Sequence, residues 1–543
     1  MIKNYSFIAS LVVSLLLFGA CSDDNTENYT PNLPTDSIII LYDNDVHCSI
    51  EGYPMLVSLR KECLSNTEYV STVSCGDFAS GGLMGAISKG ENIVEIMNHV
   101  GYDAVALGNH ELDYGFPQMF ALTQTLDAPI VCANLKNVQM NTRPFPAYHI
   151  IRYGEVDVAY IGFTTTTSGT VKSLSDEHGN PLYSFMRDDF YENAQYFIDE
   201  ARNNGADYVI ALAHLGDSQK TGGHPSSIDL IGNTIGLDAV IDGHDHHAIK
   251  EQIVNNKDGN PVLLTSAGSN FQYVGKLTIN TDGTVESTLI STTNSEVIAD
   301  SDTQNYISLL EEESTSQGNY IIGHSEVELT IYDQEGNRIV RKQECNLGDF
   351  CADALRAFTD ADIAMLNGGG IRANIKKGDI LFNDLYNTMP FGDMISTGTL
   401  NGKQLLDVLE FAVAALPSES GTFMQVSGLR FEVDPDIPSP VVKDAETGMF
   451  SHVENAERRI SNVKILNKQS GEYEYIDLSR QYSLATLDYL IHEQGGSGIL
   501  SCVVPDSNYY GTDIEILIHY LESDLGKTIG TQYSEPQGRI IYK

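Results

Sequence analysis

Five short stretches in the first half of the chain carry side chains suited to holding divalent cations. They are Asp45 and His47 in NDVH, Asp77 in SCGD, Asn109 and His110 in GNHELD, His214 in IALAH, and His244 and His246 in DGHDHH. Carboxylate and imidazole are the donors that hard-to-borderline divalent ions prefer, and one carboxylate shared by two ions holds them roughly 3.5–4 Å apart. Asp45, His47, Asp77, Asn109, His214, His244 and His246 supply enough donors for two ions with open coordination positions. The neutral amide of Asn109 adds a donor without more negative charge, which keeps the cluster attractive to phosphate. Any one of these histidines taken alone reads as a packed or surface residue. Their recurrence at five turns points to a two-metal centre.

The elements that must position them are legible in the same stretches. Each follows an apolar run: SIIILY, EYVSTV, DAVAL, DYVIALAH and LDAVID. From Ser37 to Glu296 such β-branched runs alternate with helical segments, the pattern of an α/β sheet domain. Open α/β sheets place their sites beyond the carboxyl ends of strands, so all five groups are expected at one edge. Gly108 is expected to let the chain bend sharply as Asn109 and His110 leave their strand. With 543 residues the chain exceeds what one core usually covers, and two domains are expected.

The charge is lopsided, with 32 basic against 74 acidic residues and a formal net charge of −42. Such a field repels nucleic-acid polymers, and a small anion needs cations or local arginines to overcome it. At the N-terminus, Lys3 precedes an apolar run from Phe7 to Phe18, too short to span a membrane, and Gly19 and Ala20 lead to Cys21. Residues 1–21 resemble a bacterial lipoprotein signal, with Cys21 as the lipidated residue, and the following SDDN resembles an acidic export tag of surface lipoproteins. Residues 22–36 read as a polar tether. Seven further cysteines remain, with no CxxC pair to suggest structural zinc. Cys48 and Cys75 flank proposed metal-binding turns, where they either pair or fill space.

Residues 297–319 are acidic and helix-prone, and read as a linking helix or as a surface helix of the first domain. The second half, 320–543, holds ADIAMLNGGGIRANI, in which three glycines follow an apolar strand and precede Arg372. Glycines permit close backbone approach, and an arginine beside them offers a forked donor to phosphate or carboxylate.

The motifs NDVH, GD, GNHELD, AHLG and DGHDHH, in this order, resemble the calcineurin-like metallophosphatase domain of the 5′-nucleotidase family. NxGGIR resembles the substrate-binding segment of that family's C-terminal domain. The resemblance implies a four-layer α/β metallophosphatase sandwich at 37–296, and a C-terminal α/β substrate-binding domain joined to it by a helix. It implies two divalent ions (Zn, Mn or Mg), one held by Asp45, His47, Asp77 and His246, the other by Asp77, Asn109, His214 and His244, with Asp77 bridging. It implies that His110, oriented by Asp113, acts at the phosphoryl group. Arg341, Asn367, Gly369, Gly370 and Arg372 would hold a nucleotide whose base stacks between Phe391 and Tyr489, with Arg338 a weaker candidate. Three departures stand out. Tyr42 and Asp43 precede Asn44 where the family has histidine and threonine, and Cys48 replaces glycine. Ser497 stands where an aspartate often contacts ribose. The implied protein is an extracytoplasmic, lipid-anchored phosphoester hydrolase releasing phosphate from nucleotides. A 2′,3′-cyclic nucleotide phosphodiesterase, a UDP-sugar hydrolase and a non-catalytic surface binding protein are the alternatives.

Overall fold

The computed structural model describes residues 32–166, 174, 181–217, 224–293, 297–443, 450–453, 456–491, 500 and 502–543. Cys21 and residues 22–31 of the expected tether lie outside the described residues. Among the described residues no helix is long and apolar enough to cross a membrane.

The first domain is built on two six-stranded sheets packed face to face. One runs in the spatial order Val285–Ser291, Tyr273–Ile279, Ile38–Asp43, Val70–Ser74, Ala104–Ala106, Ile130–Val131, and the last four of these strands are mutually parallel. The other runs Ala248–Asn255, Pro261–Ala267, Ala239–Ile241, Tyr208–His214, Val156–Thr164, Tyr148–Tyr153. Strand side chains alternate between faces, and the sequence obeys that period on both sheets. Ile38, Ile40 and Tyr42 meet Tyr208, Ile210 and Leu212 in the core between the sheets. Leu41 turns the other way, toward helices Tyr53–Leu64, Glu91–Val100 and Phe116–Thr125. Val209, Ala211 and Ala213 turn outward onto helices Phe190–Asn203 and Ser227–Asn233. Helix, sheet, sheet and helix give the four layers expected from the resemblance.

The Tyr42 departure is absorbed by its strand neighbour. Tyr42 pairs with Gly275 in the antiparallel register, and a Cβ on Gly275 would come 1.9 Å from the Tyr42 ring. The Tyr42 hydroxyl is spent on Thr265 Oγ1 at 2.5 Å and Ser287 Oγ at 3.0 Å. The buried Asp43 accepts a hydrogen bond from the Tyr102 hydroxyl.

Helix Ser301–Gln317 is N-capped by Asp300, which accepts from the Thr303 amide at 3.0 Å. Its Ile307 and Leu310 sit in the first domain's core, and the chain then enters strand Ile321–Ser325 of the second domain. That domain centres on a five-stranded sheet ordered Met424–Ser427, Ile363–Asn367, Gln481–Leu487, Met394–Asn401, Val504–Thr512, with helix Asn346–Thr359 packed against it. Short helix Gly82–Ser88 of the first domain lays Leu83, Ala86 and Ile87 against the second domain's core.

Candidate metal centre and substrate pocket

The parallel strands deliver the chemistry at their carboxyl ends. Asp45 and His47 follow Ile38–Asp43, Asp77 follows Val70–Ser74, and Asn109 follows Ala104–Ala106; His214 ends Tyr208–His214, and His244 and His246 follow Ala239–Ile241. Side chains from both sheets meet there. His214 Nε2 lies 2.9 Å from Asp77 Oδ2 and 3.8 Å from Asp45 Oδ1. On the other flank, His246 Nε2 lies 3.4 Å from Asp45 Oδ1 and 3.1 Å from His47 Nε2, which is itself 3.9 Å from Asp77 Oδ2. Two donor groups result, Asp45–His47–His246 and Asp45–Asp77–His214. Both Asp45 and Asp77 stand between the flanks.

Five of the seven donor residues occupy left-handed backbone: Asp45 (φ 51°), His47 (47°), Asp77 (58°), His244 (87°) and His246 (57°). Each such non-glycine residue is strained, and strain of this kind persists where the surrounding structure over-determines it, characteristically at ligand clamps. The turns are packed edge to edge. A Cβ on Gly76 would meet the Gly108 amide nitrogen at 2.1 Å, and one on Gly243 would meet Asp45 Oδ2 at 2.8 Å and His214 Nδ1 at 2.9 Å. Gly108 corrects one expectation. It is not among the glycines with positive φ; its need for hydrogen comes from crowding, since a Cβ there would lie 2.1 Å from Asp77 Oδ1.

The donors fit divalent cations on chemical grounds. Asn109 Oδ1 is buried with no hydrogen-bond partner, and His214 Nε2 faces the buried carboxylates of Asp77 and Asp45. Buried polar atoms are rarely left unpaired unless a ligand uses them. His214 Nδ1 is directed by the Cys75 carbonyl at 2.8 Å, which reserves Nε2 as the ligating atom. Burial opposes charge on His214, but Asp77 and Asp45 outweigh it and push its pKa up to about 10. Asp77 would be raised by burial, yet His214 and His110 hold it well below the usual carboxylate range. Burial lowers His47 to about 4, so its ring is neutral at neutral pH.

Beside the donors, His110 Nδ1 pairs with Asp113 Oδ2 at 2.8 Å, and the His110 ring stands 5.2 Å from that of His47. The His110 amide donates to Asp77 Oδ1 at 2.8 Å. A residue without an expected role lies beneath them. Glu111 is buried and accepts four backbone amides, those of Asp77 (3.0 Å) and Gly108 (2.6 Å) on Oε2 and those of Phe78 (2.7 Å) and Ala79 (3.2 Å) on Oε1. It ties the Asp77 turn to the Asn109–His110 turn. Burial and the charge of Asp77 push its pKa up to about 7. Its signal in the sequence is the second carboxylate of GNHELD. His247 is exposed and pairs with Asp217 at 2.9 Å. Cys48 and Cys75 do not pair; both are buried free thiols, as are Cys63, Cys132, Cys345 and Cys351.

On the second domain, Asn367 ends its strand with Oδ1 buried and without a hydrogen-bond partner. Arg341 has its Nε buried and unpaired, and its pKa is lowered by burial and by the nearby charges of Arg338 and Arg372. Arg338 is engaged by Glu419, with Nε at 3.0 Å and Nη2 at 2.5 Å from the same oxygen. Arg372 donates to the Gly369 carbonyl and lies 5.7 Å from the Phe391 ring, which is 53% exposed. These arginines make a local cationic patch on an acidic chain. All three glycines spend their amides on backbone carbonyls, Gly368 on Phe423, Gly369 on Gly421 and Gly370 on Asn367; Gly368 is the most crowded, with a Cβ there 2.1 Å from the Val340 carbonyl oxygen. Tyr489 falls in helix Asp488–Ile491, but its side chain, like Ser497, lies outside the described residues. The Phe391 turn reaches the metal-centre turns, since a Cβ on Gly392 would touch Gly81 Cα at 3.8 Å and one on Gly81 would meet the His47 carbonyl oxygen at 2.5 Å.

Residues 40–248 match the calcineurin-like phosphoesterase family, and residues 321–501 match the 5′-nucleotidase C-terminal domain. The chain carries a calcineurin-like phosphoesterase domain followed by a 5′-nucleotidase C-terminal domain. A 5′-nucleotidase of Vibrio cholerae is 26% identical over 90% of this chain and 88% of its own length. The trifunctional nucleotide phosphoesterase protein YfkN of Bacillus subtilis is 26% identical over 95% of this chain, which spans only 36% of that longer protein. The solved structure of the NAD nucleotidase of Haemophilus influenzae shares the fold, with a TM-score of 0.65 at 19% identity over 93% of this chain and 99% of that one. With the calcineurin-like phosphoesterase match and the two donor groups, the chain is a metal-dependent phosphoester hydrolase with a dinuclear divalent centre.

Proposed function

We propose that the chain is a lipid-anchored, extracytoplasmic 5′-nucleotidase that releases phosphate from nucleoside monophosphates. The observation that carries this reading is the convergence of Asp45, His47, Asp77, His214 and His246 into two adjoining donor groups, beside the His110–Asp113 dyad and with Asn109 Oδ1 buried and unpaired. Asp45, His47, Asp77 and His246 would hold one ion, and Asp77, Asn109, His214 and His244 the other. When bound, a pair of divalent ions supplies Lewis-acid polarisation of the phosphoryl group and acidifies an attacking water. Asp113 accepts from His110 Nδ1, which fixes the tautomer and leaves Nε2 to act on the developing charge and the leaving oxygen. Glu111 keeps the two turns in register through backbone amides alone.

Arg341, Asn367 and Arg372 hold the substrate, Gly369 and Gly370 let it approach closely, and Phe391 and Tyr489 stack its base. Catalytic and selecting groups sit on separate domains, 37–296 and 320–543, so a domain movement accompanies turnover. The lipoprotein-like segment ending at Cys21 supports placement outside the cytoplasm. The test is phosphate release from AMP, UDP-glucose and 2′,3′-cyclic AMP by the purified soluble form with added Mn²⁺ or Zn²⁺. Preferred hydrolysis of AMP is expected; activity confined to the cyclic diester or the sugar nucleotide would overturn the substrate assignment.

A further inference from the structure

A cavity of about 630 Å³ opens where the two domains meet, and none of the metal-ligand candidates lines it. Ala86, Ile87 and Tyr114 form its wall on the first domain; Phe358, Tyr510 and Ile518 face them from the second. We propose that this cavity is a second, regulatory site for an uncharged nucleoside. The identity of that ligand rests on the hydrolysis proposed above, of which it is the product.

Three observations favour that class. The volume falls within the range of small-molecule pockets, and Tyr114, Phe358, Phe382 and Tyr510 give it an aromatic lining suited to a flat heteroaromatic ligand. Glu515 and Gln317 supply the few polar groups such a ligand needs for orientation. The electrostatics then select against charge. Glu515 lies in the lining, and an adjoining depression of about 390 Å³, which shares Ile87, Lys89 and Gln317 with the cavity, brings Glu91, Glu95 and Glu313. Against these four carboxylates stand Lys89, shared by both linings, and His519 in the cavity wall, so the balance stays acidic, an anionic nucleotide is disfavoured and its dephosphorylated product is not.

The walls are tied to the catalytic turns. Ala86 and Ile87 belong to helix Gly82–Ser88, which starts beside Gly81 on the His47 carbonyl, and a Cβ on Gly85 would meet Cys48 Sγ at 2.4 Å. Tyr114 directly follows Asp113, the partner of His110. An occupant wedged between the domains holds them at one spacing and bears on both turns, so it lowers kcat rather than only competing for the active site.

The metal-loaded enzyme is assayed with AMP in the presence of adenosine, alongside equilibrium dialysis of labelled adenosine. The two variants are Ala86→Phe, which fills the cavity, and Phe358→Ala, which removes one wall; either suffices if the other misfolds. Adenosine is expected to lower kcat at saturating AMP at least threefold in the wild type and negligibly in the variants, with one fewer adenosine bound per chain. Purely competitive inhibition of the wild type, or a kcat effect that survives in the variants, overturns the proposal. Should AMP not be hydrolysed at all, the substrate assignment fails separately and dialysis decides the cavity: a deficit in Ala86→Phe supports it, and equal binding overturns it.

Discussion

Glu111→Gln isolates the residue that joins the two catalytic turns. The carboxylate accepts two amides on each oxygen, those of Asp77 and Gly108 on one and those of Phe78 and Ala79 on the other. A glutamine keeps the shape but offers one carbonyl oxygen. Whichever way the amide is turned, two backbone N–H groups lose their acceptor and face an NH₂ instead. A buried donor left unsatisfied costs about 1–3 kcal/mol, so the pair costs roughly 2–6 kcal/mol, a large part of a domain's usual 5–15 kcal/mol margin. With a urea dependence of about 3 kcal/mol per molar, the midpoint of the first domain's transition falls by roughly 0.7–2 M. The measurement belongs at pH 8, above the value of about 7 to which burial and Asp77 push Glu111, so that the wild-type group is ionised. Because both orphaned pairs border Asp77 or its turn, metal affinity drops with stability. A midpoint and a metal affinity both unchanged in Glu111→Gln would refute the account of Glu111 as the tie.

His110→Ala is expected to lower kcat by about 10²–10⁴ while metal content, read by elemental analysis, stays at two per chain. Loss of metal would make His110 a ligand instead. His214, at about 10 in the ion-free chain, carries its proton at pH 7, whereas a cation takes the neutral ring. Metal binding at pH 7 therefore releases a proton, and affinity climbs as pH rises toward that value; calorimetry in two buffers of different ionisation enthalpy reads it, and identical heats would contradict it. Arg341→Ala removes a charged donor whose Nε is already unpaired, and a lost charge-assisted bond of about 1.5–3 kcal/mol predicts a tenfold to hundredfold fall in kcat/KM for AMP. An unaltered kcat/KM would remove Arg341 from the substrate site.

How much of this was readable from residues alone depends on whether one stretch contained its own answer. The candidate donors were legible because each follows an apolar run, and the strand-end rule gathers them with no knowledge of partners; the fold brings Asp45, His47, Asp77, His214 and His246 within reach of one another. The alternation in SIIILY likewise predicts which face of the strand Ile40 and Leu41 take. Wherever the reason lay in another stretch, the local pattern misled or stayed silent. Gly108 was expected to bend, and instead it clears room for the Asp77 carboxylate. Gly368, the glycine of the triplet left out of the substrate assignment, is the one crowded by the Val340 carbonyl. Tyr42 seemed a departure until its cross-strand partner proved to be a glycine. Glu111 stood in full view inside GNHELD, yet three of its four amides belong to the turn after Val70–Ser74. A carboxylate beside metal ligands invites assignment as one more ligand or as a solvated charge. Only the fold shows it facing backbone amides, and that separates the residues that touch the reaction from the one that holds their turns together.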